Sequence, residues 1–439
     1  MKEKLNILIL SSRLPSHSAD CGRDVIASLS QAGHHVQFGF DGIEEYIGEC
    51  TKPLEMTLWK KAYYRIHYYL RKYFKSWICL FPPISMWAKD ETVIFHPYEN
   101  KPPLSEKILI DKLKGEYDIC VVLFYHNMFT TKTYKAIYDK FHIPFIFKGT
   151  DMMPITGGCY YSGNCRNFEH ECGCCPVMGG NDPNDQTHKN FLYKRKVYDS
   201  IECVFWGNRW MLDHARRSHL FDNAKMQLMG LVLDENEYTP RDTLVCRRKL
   251  NIPDNKQYIF LSRYRKLARK GMDILVDGMN RLYDSLPDEK RNKILLVLIG
   301  EKADNLSDIF KMDVLQLGFL NKSGLIDAYN ASTAFLCSSI EDAGPSMINQ
   351  SMACATPVVA FDAGCSVDMI DDGVNGFKVP VSEKERWYEG MKKICAMSEN
   401  EYAELSRQAR KKAVELNGLR AFSKAVEDVY LEFRPNGKK

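Results

Sequence analysis

The sequence opens without a segment suited to be a secretory leader: after its basic start, the apolar run at residues 5–10 is too short for a leader's hydrophobic region or a membrane span. That run is predicted to be a buried strand, and the chain is expected to be cytoplasmic. There is no low-complexity tract and no internal repeat at solenoid periods, so a repeat array is excluded. An excess of charge of one sign is also missing. The formal net charge is +4, and the basic residues are spread too widely to mark a nucleic-acid surface. No G-x-G-x-x-G follows the first strand and no acidic ribose binder is placed for it, which argues against a nicotinamide-dependent oxidoreductase. Cysteine, by contrast, is plentiful. Its total of 15 is odd and no secretory leader is expected, so a disulfide framework is not expected either.

With 439 residues, 45% hydrophobic and 26% charged, the chain suits two domains better than one. Residues 5–10, a helical pattern over 25–31 and a strand over 35–40 form a β-loop-α-β opening. Strand-like runs recur at 119–124, 144–147 and 203–206, with a helical pattern over 131–141. After a polar stretch at 234–241 the pattern restarts, with apolar runs at 258–262, 294–299, 314–317, 334–337 and 358–361. Such alternation predicts an α/β chain of two doubly wound parallel sheets, each covered on both faces. The domains are expected over 1–235 and 240–415, with a helical tail over 416–439.

The most informative stretch is SSIEDAGPSMINQSMACATPVVAFDAG, residues 338–364. Glu341 and Asp342 are placed in the loop after a strand, and Gly344, Pro345 and Ser346 open a helix that runs to about residue 353. Gly344 permits close approach and positive φ, Pro345 suits a first helical turn, and the Ser346 hydroxyl can cap free N–H groups. A helix start beyond the carboxyl end of a strand binds phosphate, and a carboxylate there can accept bonds from sugar hydroxyls. An ordinary capped loop would read the same way.

The stretch resembles the E-x7-E signature of retaining family 4 glycosyltransferases, which adopt the GT-B fold. In that family the first Glu contacts the donor sugar and the second the nucleotide ribose; Glu341 matches the first, and Asn349 stands at the second. Asn donates and accepts but lacks the carboxylate charge. The run LSRYRKLARKGMDIL, residues 261–275, resembles the family's basic loop, so Arg263 and Lys270, with Arg269 as a competitor, are expected to neutralise the donor diphosphate. The likeness extends over the Gly300-Glu301 turn, residues 317–339 and 371–379, and a terminal helix resembling one that crosses back to the first domain. It implies two Rossmann-like domains facing a cleft, a nucleoside diphosphate sugar as donor, and no catalytic metal.

In the N-terminal half, FKGTDMMPITGGC resembles a family segment in which a His before the Asp reaches the donor sugar; here Thr150 precedes Asp151. His126 with Asn127 matches a family His-Asn pair, and Arg13 and Arg23 are further candidates to meet an anionic group. Cys159, Cys165, Cys172 and Cys175 follow the spacing C-x5-C-x6-C-x2-C, with Cys174 as a fifth thiol. Two spaced pairs can close a tetrathiolate structural zinc site; unliganded thiols or a disulfide pair are the other readings. The block, residues 157–180, resembles a cysteine-rich insertion in a family branch that acts in bacterial surface-polysaccharide assembly.

Residues 58–81 interleave Lys60, Lys61, Arg65, Arg71, Lys72 and Lys75 with aromatics. This pattern fits either a helix docking on an anionic membrane surface or one packed on the first domain. The reaction implied by the resemblance is sugar transfer to a glycan or lipid-linked acceptor. The alternative is a catalytically silent GT-B protein that binds or scaffolds, for which Asn349 and Thr150 speak.

Overall fold

A computed structural model describes residues 4–11, 21–40, 51–53, 86–87, 94–95, 98–102, 104–113, 115–124 and 129–434. Arg13, residues 58–81 and His126 lie outside the described residues. The strands of the first half are β1 (Asn6–Leu10), β2 (His35–Phe40), β3 (Thr51–Pro53), β4 (Met86–Trp87), β5 (Ile94–Phe95), β6 (Ile119–Val122), β7 (Phe145–Lys148), β8 (Cys203–Gly207) and β9 (Lys225–Leu228). Seven of them form one parallel sheet in the order β3-β2-β1-β6-β7-β8-β9, and β4 and β5 pair antiparallel apart from it. The second half adds β10 (Tyr258–Tyr264), β11 (Ile294–Gly300), β12 (Asp313–Gly318), β13 (Ala334–Cys337), β14 (Val358–Phe361) and β15 (Gly376–Val379), parallel in the order β12-β11-β10-β13-β14-β15.

Both orders run outward from the first strand, then reverse and grow from its other edge, as in doubly wound folds. The reversals fall between β1 and β6 and between β10 and β13. The α/β architecture read from the alternation is therefore the observed one. Strand side chains point alternately to opposite faces, and in the second sheet both sets are buried. Ile259, Leu261, Leu295, Val297 and Phe335 enter one core, while Phe260, Leu296, Leu298, Ala334 and Leu336 enter the other. This is why these strands read as continuous apolar runs rather than as alternating ones.

The chain divides into two compact units: residues 1–207, 211–228 and 423–439 make the first, and residues 208–210 and 229–422 the second. The helical tail expected over 416–439 is the helix Leu419–Phe433 within the described residues, and a further helix precedes it. The helix Glu399–Asn417 starts with a reciprocal Ser398–Glu401 capping box and ends at Gly418, whose extended backbone (φ −61, ψ 159) breaks the winding before the helix Leu419–Phe433. No described helix is long and apolar enough to cross a membrane.

Candidate functional site

At the reversal between β10 and β13, neighbouring strands lead into loops that separate, leaving a crevice at their carboxyl ends. It holds a cavity of about 140 Å³ whose wall includes Arg263, Arg265, Lys270, Ser338, Ser339 and Asp342, with Gly344, Pro345 and Ser346 at the start of the helix Ser346–Ala353. At roughly 30 Å³ per liquid water, that is room for a group of diphosphate size.

Two glycines allow the loops to meet there. Gly271 has φ +62, and a Cβ on it would fall 2.1 Å from the Ser338 carbonyl oxygen, so glycine lets the basic turn Ala268–Lys270 lie on the loop after β13. The seam is fastened by Ser338 Oγ donating to the Lys270 carbonyl at 2.8 Å and by the Ile340 N–H donating to the Arg269 carbonyl at 3.0 Å. Gly364, with φ +63, does the same from the other side, its virtual Cβ lying 2.1 Å from the Asp342 carbonyl oxygen.

Asp342 is buried between these loops and accepts from Lys270 Nζ and, at 3.2 Å, from the Gly344 N–H, with Arg269 Nη1 3.5 Å away. Burial raises its pKa, but Lys270 and then Arg269 outweigh burial and hold the carboxyl below the ordinary Asp range. Desolvation at the cavity wall, then repulsion from Arg265, lowers the pKa of Arg263, which as a guanidinium stays charged. Arg269 sits behind the wall and donates to the Glu341 carbonyl at 3.2 Å. Glu341, half-buried, is not part of the wall.

The helix start differs from expectation in detail. Gly344 has no positive φ; its lack of a side chain instead admits Leu231, whose Cδ1 would be 3.1 Å from a Cβ. Pro345 is the residue before the helix and Ser346 its first member, and no side chain caps the start, because a hydroxyl inside the first turn is not placed to receive the N–H groups that an N-cap receives. Asn349 is 2% exposed; its Nδ2 donates to the Leu231 carbonyl at 3.4 Å, and its Oδ1 has no hydrogen-bond partner among the described residues. Arg265, Ser338 and Ser339 went unremarked in the sequence, although Arg265 belongs to the same basic run and the serines directly precede Ile340 and Glu341.

Thr150 and Asp151 belong to the first unit, at the turn after β7. Thr150 Oγ1 donates to the Leu123 carbonyl at 3.0 Å, and Asp151 Oδ1 accepts from the Met153 N–H at 2.9 Å. Beneath this turn lies an ion pair that sequence reasoning did not find. Lys194 Nζ is 3.1 Å from Glu99 Oε1, and both side chains are fully buried. Lys194 also donates to the Met153 carbonyl and, at 2.9 Å, to the Thr156 carbonyl, while Glu99 Oε2 accepts from the Thr131 N–H and hydroxyl at 3.0 Å each. A Lys within a helical pattern gives no sign of this.

The zinc expectation is not met: among the described residues, no three or more His, Cys, Asp and Glu are grouped as a metal site. Glu171, Cys172, Gly173 and Cys174 all have positive φ, which winds the chain tightly there. Cys172 Sγ accepts from the Gly157 N–H at 3.2 Å, and Cys174 Sγ donates to the Asn181 carbonyl at 3.4 Å. Cys159, Cys165, Cys172, Cys174 and Cys175 are free thiols. Desolvation, with Cys175 and Cys165 adding repulsion against a bond from Thr156, pushes Cys159 to about 12; desolvation also drives Cys172 well up. The loop is held by Asp185, which accepts from the Cys175 N–H at 2.8 Å and caps the helix Gln186–Tyr198.

Residues 245–412 match the family described as "Glycosyl transferases group 1". A D-inositol 3-phosphate glycosyltransferase of Saccharomonospora viridis is 28% identical over 212 residues, which cover 46% of this chain and 48% of the relative. The chain thus spans about half the length of the curated relatives it matches. Sucrose-phosphate synthase from Thermosynechococcus elongatus has a similar fold, with a TM-score of 0.62 at 14% identity over 98% of this chain and 99% of that one. HepE from Anabaena, solved with UDP and glucose, gives a TM-score of 0.61 at 14% identity over 98% and 100% of the two chains. The chain therefore has the GT-B fold, and its second unit carries the segment that matches the group 1 glycosyl transferases.

Proposed function

We propose that this chain transfers a sugar from a nucleoside diphosphate sugar to an acceptor hydroxyl, with retention at the anomeric carbon. The observation that carries this reading is the cation-lined cavity at the strand-order reversal, built from the segment that matches the glycosyl transferases group 1. Arg263 and Lys270 take the diphosphate, with Arg269 behind them, and the uncapped helix start at Gly344 to Ser346 adds N–H groups. Fixed cations in a partly dried pocket stabilise the charge that grows on the leaving diphosphate, an effect of roughly 10²–10³ in rate for one well-aimed donor. A front-face displacement then needs no protein nucleophile. Glu341 orients the donor sugar. Asn349, whose Oδ1 lacks a partner among the described residues, receives a ribose hydroxyl.

The acceptor in this reading is a glycan or lipid-linked hydroxyl on the cytoplasmic side, and residues 58–81 dock on an anionic membrane face. The test is to incubate the purified chain with a panel of nucleoside diphosphate sugars and follow release of the nucleoside diphosphate. One donor should be turned over, and Lys270→Ala should slow that turnover by roughly 100-fold or more. A folded chain that binds a donor yet releases nothing with any acceptor leaves a binding protein of the same fold.

A further inference from the structure

We infer that the helix Glu399–Asn417 is a self-association surface: a second copy of this chain packs its own helix against it antiparallel, with the two-fold axis at the level of Leu405 and Ser406. Leu405, Ala409, Ala413 and Asn417 are the residues this helix buries. Ala403, Arg407, Lys411 and Val414, spaced three or four apart, form a different stripe, and that stripe lines a surface groove of about 750 Å³. Pro240 and Ala355 contribute to the groove from two loops. Arg410 ties the helix to the backbone around those loops: its Nη1 donates to the Tyr238 carbonyl at 2.9 Å and to the Ala353 carbonyl, and its Nη2 to the Glu235 carbonyl at 3.3 Å. The groove is therefore held in shape, and it presents Pro240, Ala355, Ala403 and Val414 as an apolar strip.

The occupant follows from the charges. Arg407 and Lys411 line the groove beside Glu415, and Arg407 Nη2 donates to Glu404 at 2.6 Å, so the sign changes along the helix and suits neither a simple anion nor a simple cation. It suits the same helix reversed. Glu399, Glu401 and Glu404 lie as far before the midpoint of residues 405 and 406 as Lys412, Arg410 and Arg407 lie after it, so a two-fold axis there sets each acid level with a base. The helix macrodipole does not account for this pattern, since the last turn carries no basic residue. At the groove, Glu404 of each copy faces Arg407 of the other. The two side chains are 55% and 60% exposed, and their pairing within one helix is weak enough to be shared. Charge sets the orientation and register, while the apolar strip and the long basic side chains supply buried area. Ala403 and Ser406, small residues near the axis, let the two helices approach closely.

The experiment is analytical sedimentation of the full chain over a series of roughly 1 to 100 µM, for wild type, Arg407→Glu, Glu404→Arg and an equimolar mixture of the two variants. Wild type should form a dimer whose dissociation constant rises with salt. Each single variant sets like charges against one another at both symmetric contacts, so each should weaken the dimer roughly tenfold or more. The mixture should regain it as a heterodimer, because the acidic pair of one variant then faces the basic pair of the other. Misfolding of a variant does not produce that rescue. A wild-type chain that stays monomeric over the whole series overturns the inference. So does a dimer that both single variants leave unchanged, which places the interface on another face. A mixture that associates no more tightly than either variant alone overturns the antiparallel register and the inference with it.

Discussion

The two units repeat one doubly wound plan but use their polar residues differently. In the second, Arg263, Arg265, Lys270 and the serines after β13 gather at a strand-order reversal around open space. In the first, the polar residues beyond β7 are turned inward: Thr150 bonds the Leu123 carbonyl, Asp151 bonds its own turn, and Lys194 and Glu99 share a fully buried pair that holds Met153, Thr156 and Thr131. Polar groups whose bonds are completed within the protein brace a fold. Polar groups on a cavity wall, even those that also bond within the protein as Lys270 and Ser338 do, lie within reach of a ligand. The same motif logic applied to both halves therefore has different force in each.

The largest effect should come from the braced region. Lys194→Met removes one member of a fully buried pair and leaves Glu99 uncompensated, so chemical denaturation should show a loss of about 3–5 kcal/mol. Donor turnover per folded molecule should change little. A loss below about 1 kcal/mol would mean that the pair is not the brace described. Glu341→Gln is the converse: it should cut turnover by about 10- to 100-fold, the scale of one charged hydrogen bond, while the melting temperature barely moves. Unchanged turnover would remove Glu341 from the site and blur the contrast between the units.

A third expectation concerns acid. Because the folded pKa of Asp342 is depressed, its contribution to stability is fully present above the unfolded Asp value of about 3.9 and is lost as pH falls through the lower folded value. The stability gap between wild type and Asp342→Asn should therefore be constant near neutrality and close only in that acidic range. A gap that closes near neutral pH would contradict the Lys270 and Arg269 pairing. The smallest effect is one of reactivity. Exposed Cys174 should label first with a thiol reagent at neutral pH, and Cys159 and Cys172 at least roughly tenfold more slowly, because desolvation suppresses their thiolates. Peptide mapping by mass spectrometry reads the order, and prior labelling of Cys159 would overturn it.

The strands were legible because a doubly covered parallel sheet demands unbroken apolar runs, and residues 334–337 and 358–361 have the bounds the sequence suggested. Less legible strands have weaker signals: Lys225–Leu228 is exposed or half-buried along its length, and Gly376–Val379 begins on a glycine. The loop after β13 could be placed by its Gly-Pro-Ser run, but not the partners of its side chains. Asp342 reads from sequence as a donor-binding candidate in the loop after β13, but not as the partner of Lys270; the φ +62 turn at Gly271 is what brings Lys270 to it. Cysteine spacing likewise fixes which thiols are near in sequence, whereas the partners they meet, the Gly157 N–H for Cys172 and the Asn181 carbonyl for Cys174, are not legible there.

By itself, then, the sequence determined the α/β class, the restart of the pattern near residue 240 and the place of the loop after β13, since periodicity and turn chemistry are local properties of the chain. Only the tertiary structure decided that Lys270 and Asp342, 72 positions apart, share one bond, that Lys194 and Glu99 meet in a dry core, and that the spaced cysteines are not grouped as a metal site among the described residues. Charge pairing and coordination depend on distance and burial. Those are fixed when strands separated in sequence come to lie side by side.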